Sequence, residues 1–306
     1  MNIDALQKKL VELVKLSKES GIEISPAVDQ LENKIIELTQ SETAWKRVEL
    51  ARHPDRPYAL DYINLIFTDF TELHGDRYFG DDPAIVGGLA FLDGKPVTII
   101  ANQKGRTLQQ RVKRNGGMAN PEGYRKALRL AKQAEKFGRP IVCFVDTVGA
   151  FPGLGAEERG IGEAIAKNLR DFSQLKTPVV CVIIGEGGSG GALGICVGDK
   201  VYMLENAIYS VISPEGCASI LLRDSSLAKD AADMLRISSD DLMAFNVING
   251  IIKEPEGGAH KDPATCAASI KKILIDDIAE LQKHNPAVLV RYRNQKIRTI
   301  GQWNEN

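Results

Sequence analysis

Gly185-Glu186-Gly187-Gly188-Ser189-Gly190-Gly191-Ala192-Leu193-Gly194 is a run with few side chains and follows the apolar strand candidate 179–184. Such a backbone approaches a ligand closely and aims bare N–H groups at it, which stabilises negative charge. A second loop of the same kind, Gly149-Ala150-Phe151-Pro152-Gly153-Leu154-Gly155, follows the strand candidate 140–146. Two such loops suggest one composite site.

Three chemistries compete for the first loop. Gly185-x-Gly187-x-x-Gly190 satisfies a dinucleotide fingerprint, but the acidic residue expected about 20 positions on is at best Glu205. Gly187-Gly188-Ser189-Gly190-Gly191 satisfies the G-x-S-x-G elbow of serine hydrolases, with His260 and His284 downstream as candidate partners. The third reading is an oxyanion hole with no protein nucleophile, in which paired backbone donors hold a developing negative charge. Removing one donor from such a hole costs about 10²–10³ in rate. The reacting group would then come from a cofactor carried to the site, and Ser189 would be a small spacer. A scaffold subunit without its own site remains the non-enzymatic alternative.

The elements that must position these loops are read from hydrophobic patterning. Strands are expected over 96–101, 140–146 and 178–184, with a helix over 124–137 stopped by Gly138. Another helix carries Ile161, Ala164, Ile165, Leu169 and Phe172. The two strand–loop–helix units suggest repeated stacking in an α/β fold. Residues 1–48 are expected to form a separate helical hairpin, a packing or oligomer arm with apolar stripes at Leu6, Leu10, Leu13 and at Leu31, Ile35, Leu38. Residues 49–306 form the domain that carries the chemistry.

Composition narrows the classes of function. The 306 residues are 43% hydrophobic and 26% charged, an ordinary globular balance, and the net charge of -1 argues against nucleic acid as a main partner. There is no apolar run of about 18 residues and no apolar core of a signal peptide, so a cytosolic protein is expected. Cys143, Cys181, Cys196, Cys217 and Cys266 lie far apart without a C-x-x-C pair and are read as buried reduced thiols, so no metal site is expected. His74 and His260 fall in loops, and Glu157 and Glu158 fall near the start of the helix after the second glycine loop.

Several long strings carry a family resemblance. They are Arg52-His53-Pro54-x-Arg56-Pro57, Asp81-Asp82-Pro83 through Gly88, Gln103-Lys104-Gly105-Arg106 and Pro121-Glu122-Gly123-Tyr124-Arg125. Further on come Gly155-Ala156-Glu157-Glu158-Arg159-Gly160, 185–193, Ser210 through Ala218, and Glu254-Pro255-x-Gly257-Gly258-Ala259-His260. With these the chain resembles the carboxyltransferase alpha subunits of multisubunit bacterial or plastid-type acetyl-CoA carboxylase, members of the crotonase superfamily. One departure is visible: Asp146-Thr147-Val148-Gly149-Ala150-Phe151-Pro152-Gly153 stands where the family commonly has Pro for Val148 and Tyr for Phe151. Any role for a tyrosine hydroxyl in this loop is removed.

The resemblance implies a crotonase-like spiral of β-β-α units. It implies transfer of a carboxyl group from N-carboxybiotin on a carrier protein to acetyl-CoA, giving malonyl-CoA for fatty acid synthesis. Backbone N–H groups of Gly190, Gly191 and Ala192 would form the biotin-side oxyanion hole. Phe151, Pro152, Gly153, Gly187, Gly188, Glu186 and Glu215 would line or orient it, and Lys104, Arg106, Arg111, Lys113 and Arg114 are candidate contacts for CoA phosphates. A beta subunit, which in the family carries the zinc and most of the CoA site, would complete an α2β2 assembly. Biotin carboxyl carrier protein and biotin carboxylase are the further partners implied, in the cytoplasm of a bacterium or in a plastid.

Overall fold

The computed structural model of the protein describes residues 44–301 and the single positions 10, 11, 28 and 30. The hairpin expected over 1–48 therefore lies almost entirely outside the described residues. Contacts divide the chain into two compact units. The larger comprises Val48–Ser213 with Ile237–Asn306; the smaller holds Pro214–Arg236 and the described residues before Val48.

One mixed sheet organises the larger unit. Its strands are β1 (Thr68–Glu72), β2 (Ile85–Leu92), β3 (Lys95–Asn102), β4 (Ile141–Thr147), β5 (Val179–Gly188), β6 (Lys200–Leu204), β7 (Ile208–Ser210) and β8 (Gly250–Ile252). The order is β1-β2-β3-β4-β5-β6-β8, with β7 beside the end of β5. β1, β2 and β3 pair antiparallel, and every later pairing is parallel. Asp93 and Gly94, both with positive φ (50° and 74°), make the two-residue turn that folds β2 back onto β3.

β4 and β5 form the middle of the sheet. Both read as nearly continuous Val, Ile and Cys because helices or loops cover both of their faces, and every residue from Ile141 to Thr147 is buried. Cys143 stands opposite Cys181 in register, and all five cysteines are buried and free, as the sequence suggests.

The helix between β3 and β4 runs Pro121–Lys136, starting three residues before the expected Tyr124. Asn120 is its N-cap and Pro121 takes the first helical position, where a missing N–H costs nothing. Phe137 caps the end and Gly138, at φ 65°, turns the chain away. The next helix, Ile161–Ser173, buries Ile161, Ala164, Asn168 and Phe172. Its Asn168 amide donates to the Tyr124 and Gly194 carbonyls at 3.0 and 2.9 Å, which fixes both helices to the segment leaving the first glycine run.

One element differs from expectation in a way that matters. β5 continues through Gly188, so Gly185–Gly188 is strand, and its last residues pair with β7 (Glu186 with Ile208, Gly187 with Tyr209, Gly188 with Ser210). Glycine-rich sequence disfavours a strand locally, and a partner strand on the open edge overrides that preference.

Candidate active site

The two glycine loops meet backbone to backbone. A Cβ on Gly188 would lie 2.9 Å from the Gly149 nitrogen, and one on Gly191 would lie 2.6 Å from the Gly149 carbonyl oxygen and the Ala150 nitrogen. No side chain fits at either position. Between them Ser189 adopts a left-handed φ of 50°, which swings the chain from β5 into the short helix Ser189–Leu193.

The position of that turn determines which amides lack an intrahelical partner. Gly188 is the N-cap, so the N–H groups of Ser189, Gly190 and Gly191 precede the first intrahelical bond. Ala192 is the first residue with a helix carbonyl, that of Gly188, four positions behind it. Of the three residues marked in the sequence, Gly190 and Gly191 have no intrahelical partner for their N–H groups, and neither does Ser189. Tyr124, buried, points its hydroxyl at the Gly191 carbonyl at 3.3 Å and steadies the turn.

The second loop is stiffened by its own short bonds. Thr147 Oγ1 donates to the Gly149 carbonyl at 2.7 Å, and the Phe151 N–H donates to the Ala119 carbonyl at 3.0 Å. The Phe151 ring folds over Gly153, where an added Cβ would lie 3.1 Å from Cδ1. Pro152 is exposed beside it, and so is Val148.

Behind the first loop sits a charge cluster. Lys104 Nζ lies 2.7 Å from Asp146 Oδ1 and 2.8 Å from Glu186 Oε2, and Arg52 Nε lies 2.7 Å from Glu186 Oε1. The Glu186 N–H also donates to Asp146 Oδ1 at 2.9 Å. Burial alone would lower the Lys104 pKa, but the two carboxylates outweigh it and hold the ammonium well above the ordinary lysine range. Burial would likewise raise Glu186, yet Lys104 and Arg52 hold it below the usual carboxylate range. The cluster borders a cavity of about 200 Å³ that also meets His53, Tyr58 and Arg111.

The five cations that sequence places together are separated by their partners. Lys104 is engaged by its two carboxylates. Arg106 pairs with Asp61 at 2.5 Å and lies over the Tyr58 ring, and Arg114 donates to the Pro83 carbonyl at 2.7 Å. Arg111 and Lys113 lie on the exposed helix Leu108–Lys113, Arg111 reaching back to the Gly105 carbonyl through Nε at 3.1 Å.

Two motifs far apart in sequence close on one another. The Arg56 guanidinium grips Glu254 through two bonds, at 2.5 and 3.1 Å, with the side chains 1% and 0% exposed. Arg56 Nε donates to the Ile184 carbonyl at 2.7 Å, tying the pair to β5 just before the glycines. Glu254 also accepts from Asn206 N and Nδ2 at 3.0 Å each and from Ala259 N at 2.7 Å, so its lone pairs are well satisfied. The two strings lie about 200 positions apart in the chain, and nothing in their spacing links them.

His53 and His260 come with the same two motifs and stack face to face, centroids 3.8 Å apart. Buried His260 Nδ1 has no hydrogen-bond partner, and burial, with His53 second, pushes its pKa down. A hydrolase triad needs an acid on that nitrogen, so the elbow reading of Ser189 finds no support here. His74 lies in a loop 3.0 Å from Asp81. Glu157 and Glu158 are exposed in the short helix Leu154–Glu158, and Glu215 belongs to the smaller unit, in the helix Pro214–Cys217. Among the described residues no cluster of His, Cys, Asp or Glu is arranged to hold a metal, and no helix is long and apolar enough to cross a membrane.

Comparison with known proteins gives a consistent answer. Residues 1–301 match the family model described as acetyl co-enzyme A carboxylase carboxyltransferase-like. The acetyl-coenzyme A carboxylase carboxyl transferase subunit alpha of Treponema denticola is 66% identical over 290 residues, covering 95% of each chain. Its counterpart in Fusobacterium nucleatum is 53% identical over 306 residues, covering 99% of this chain and 98% of the relative. Among solved structures, the transcarboxylase 12S core with methylmalonyl-coenzyme A and methylmalonic acid bound superposes with a TM-score of 0.59 at 23% identity, covering 72% of this chain and 41% of that one. A Pseudomonas malonate decarboxylase hetero-tetramer in complex with coenzyme A gives 0.58 at 16% identity, covering 72% and 90%. These likenesses establish the crotonase-like fold.

Proposed function

Because the chain belongs to the acetyl co-enzyme A carboxylase carboxyltransferase family, we propose that the cleft built by its two glycine loops is the biotin-side half of a carboxyltransferase site completed by a beta subunit. It is a carboxyltransferase of the alpha-subunit type. The reaction is transfer of a carboxyl group from carboxybiotin to acetyl-CoA, giving malonyl-CoA for fatty acid synthesis.

The observation that carries this reading is the close backbone contact of Gly188 and Gly191 with Val148–Ala150, which leaves the outward amides of Ser189–Gly191 beside the second loop. Carboxybiotin, presented by a carrier protein, supplies the carboxyl group when bound. The Gly190 and Gly191 N–H groups then stabilise charge developing on its ureido oxygen, without any reorganisation of the turn. Phe151, Pro152 and Gly153 form the facing wall. Lys104 and Glu186 act from behind the turn: they hold the end of β5 and set its register. Arg111 and Lys113, exposed and free of acidic partners within the described contacts, are the cations best placed to meet the phosphates of CoA.

Biotin carboxyl carrier protein and biotin carboxylase belong to this reading as the sources of the activated group, with the alpha and beta subunits as an α2β2 pair in the cytoplasm. The name of the relatives supports a beta partner. The zinc that the resemblance implies is assigned to that partner. The hairpin over 1–48 is proposed as the arm that joins subunits.

The deciding experiment is a malonyl-CoA assay with carboxylated carrier protein as donor, run on this chain alone, on the beta subunit alone, and on the two together. Activity only in the mixture supports the shared site. Activity from this chain alone would refute it.

A further inference from the structure

The cavity of about 200 Å³ beside the Lys104 cluster is lined with hydrogen-bond donors. Its polar side chains are those of Arg52, His53, Tyr58, Lys104, Arg111 and Glu186. Glu186 is the one acidic lining residue among the described residues, and its carboxylate is already held between Arg52 and Lys104 at 2.7 and 2.8 Å. Asp146, bonded to Lys104, brings the carboxylates to two against three cations. The balance at the wall is positive, in a recess where charge is screened less than on an open surface.

Three of these residues keep donors without an acceptor among the described contacts. Tyr58 is only 7% exposed and lies under the Arg106 guanidinium, yet its hydroxyl makes no hydrogen bond. His53 Nδ1 accepts from the Asp55 N–H at 3.2 Å, which puts the proton of the neutral ring on Nε2, where no acceptor meets it. Arg111 uses Nε on the Gly105 carbonyl at 3.1 Å and keeps both terminal nitrogens, a fork suited to two oxygens of one anion. That fold-back is built in: a side chain at Gly105 would collide with the backbone of Gln110 and Arg111, so the helix Leu108–Lys113 lies directly on it. Gly116 takes a φ of 61°, and a Cβ there would meet nothing within 4 Å, which leaves that side of the cavity open.

The geometry points to a binding site for one phosphate dianion, with the Arg111 fork, the Tyr58 hydroxyl and His53 Nε2 donating to its oxygens. A carboxylate brings two oxygens to a wall that offers donors from three residues, whereas a phosphate brings enough for all of them. The cavity is smaller than the roughly 300–1,000 Å³ usual for drug-sized ligands, and a single tetrahedral anion fits within it. The phosphate is either the free ion or the 3′-phosphate of coenzyme A, and only the second source rests on the carboxyltransferase reading.

The inference is tested by calorimetric titration of the purified chain in a chloride buffer. Inorganic phosphate is expected to bind saturably, one per chain, with a Kd of about 1 mM or tighter, as suits a few charge-assisted hydrogen bonds. Chloride added to the same ionic strength should give no saturable signal. Tyr58→Phe removes only the hydroxyl and should weaken phosphate about fivefold with an unchanged unfolding midpoint. Arg111→Ala, on an exposed helix, should weaken it roughly tenfold or more, and keeps the test open if the tyrosine variant does not fold. Coenzyme A and dephospho-coenzyme A, which differ by the 3′-phosphate alone, identify the source. A preference of about tenfold for coenzyme A, lost in Arg111→Ala, assigns the site to the coenzyme; equal affinity for the two, with phosphate still binding, assigns it to the free ion. Absence of saturable phosphate binding, or binding undiminished in either folded variant, would overturn the proposal. Malonyl-CoA formation plays no part in the titration, so failure of the carboxyltransferase reading would leave the phosphate result standing.

Discussion

Gly191 and Gly149 touch through their backbones, so closely that a Cβ on Gly191 would lie 2.6 Å from the Gly149 carbonyl oxygen. One glycine earlier the situation reverses: a Cβ on Gly190 would meet only Ile165, at an ordinary 3.6 Å. Both residues have an N–H without an intrahelical partner, yet only one tolerates a side chain.

This difference predicts unequal effects of the same substitution. Gly190→Ala should keep its unfolding midpoint within a degree or two. Gly191→Ala must push the two loops apart, and its transfer rate should fall roughly 10²-fold or more, the usual cost of a misplaced oxyanion donor. Equal activity in the two variants, measured as malonyl-CoA formation with the beta subunit present, would contradict the assignment.

Ser189 is held at φ 50°, a region that costs a non-glycine residue about 1–2 kcal/mol. Ser189→Gly should therefore stabilise the chain by up to about 1 kcal/mol in denaturant unfolding, after the entropy of the added glycine is subtracted. Ser189→Ala should leave transfer within a few-fold of normal. A complete loss of activity in the alanine variant would reinstate the hydroxyl as a nucleophile.

Arg56 and Glu254 form a buried, bidentate and fully bonded pair. Glu254→Ala leaves a guanidinium unpaired in the interior and should cost about 3–5 kcal/mol of unfolding free energy. The double replacement Arg56→Met with Glu254→Leu should recover much of that loss. A double variant no more stable than the single one would show that the bonds to Ile184 and Asn206, rather than the pair, carry the effect.

Acid sensitivity has an assignable source in Asp81. Burial would raise its pKa, but the Lys126 ammonium, the Gly75 N–H and His74 outweigh this and lower it to about 2 from 3.8. A depressed carboxylate adds stability that is fully present above its unfolded value and is lost as pH falls through the folded one. The unfolding free energy should thus drop between about pH 4 and pH 2, and Asp81→Asn should flatten the curve over that window. An unchanged slope would place the acid-sensitive group elsewhere, Glu186 and Glu254 being buried carboxylates that are also depressed.

Arg111 and Lys113 should act on substrate affinity alone. Replacing both by alanine is expected to raise the KM for acetyl-CoA roughly 3- to 20-fold, since exposed charge pairs contribute up to about 1 kcal/mol each. The kcat should stay near normal. A fall in kcat with unaltered KM would remove these residues from the CoA side.

Much of the site was legible in the residues themselves. Runs such as Val179–Ile184 cannot be exposed on either face, so they name the central strands, and glycine spacing after them names the two turns that meet backbone to backbone. The extension of β5 through Gly188 was hidden, because local propensity opposes it and the partner strand β7 arrives from 20 residues downstream. Which N–H groups at this turn lack an intrahelical partner was hidden as well. Helix phase depends on where the N-cap falls, and Ser189 in a left-handed conformation is a choice made by the packing around it.

Sequence by itself determined the family and the class of fold, because these follow from residue types and short spacings along the chain. Tertiary structure decided which groups remain free to act. Lys104 looks like part of a basic patch until Asp146 and Glu186 close around it, and His260 looks like a general base until it stacks on His53. Each depends on a partner at least 40 positions away in the chain, and only folding brings such charges and rings within a few ångströms, where Coulomb attraction and desolvation set what a side chain can do.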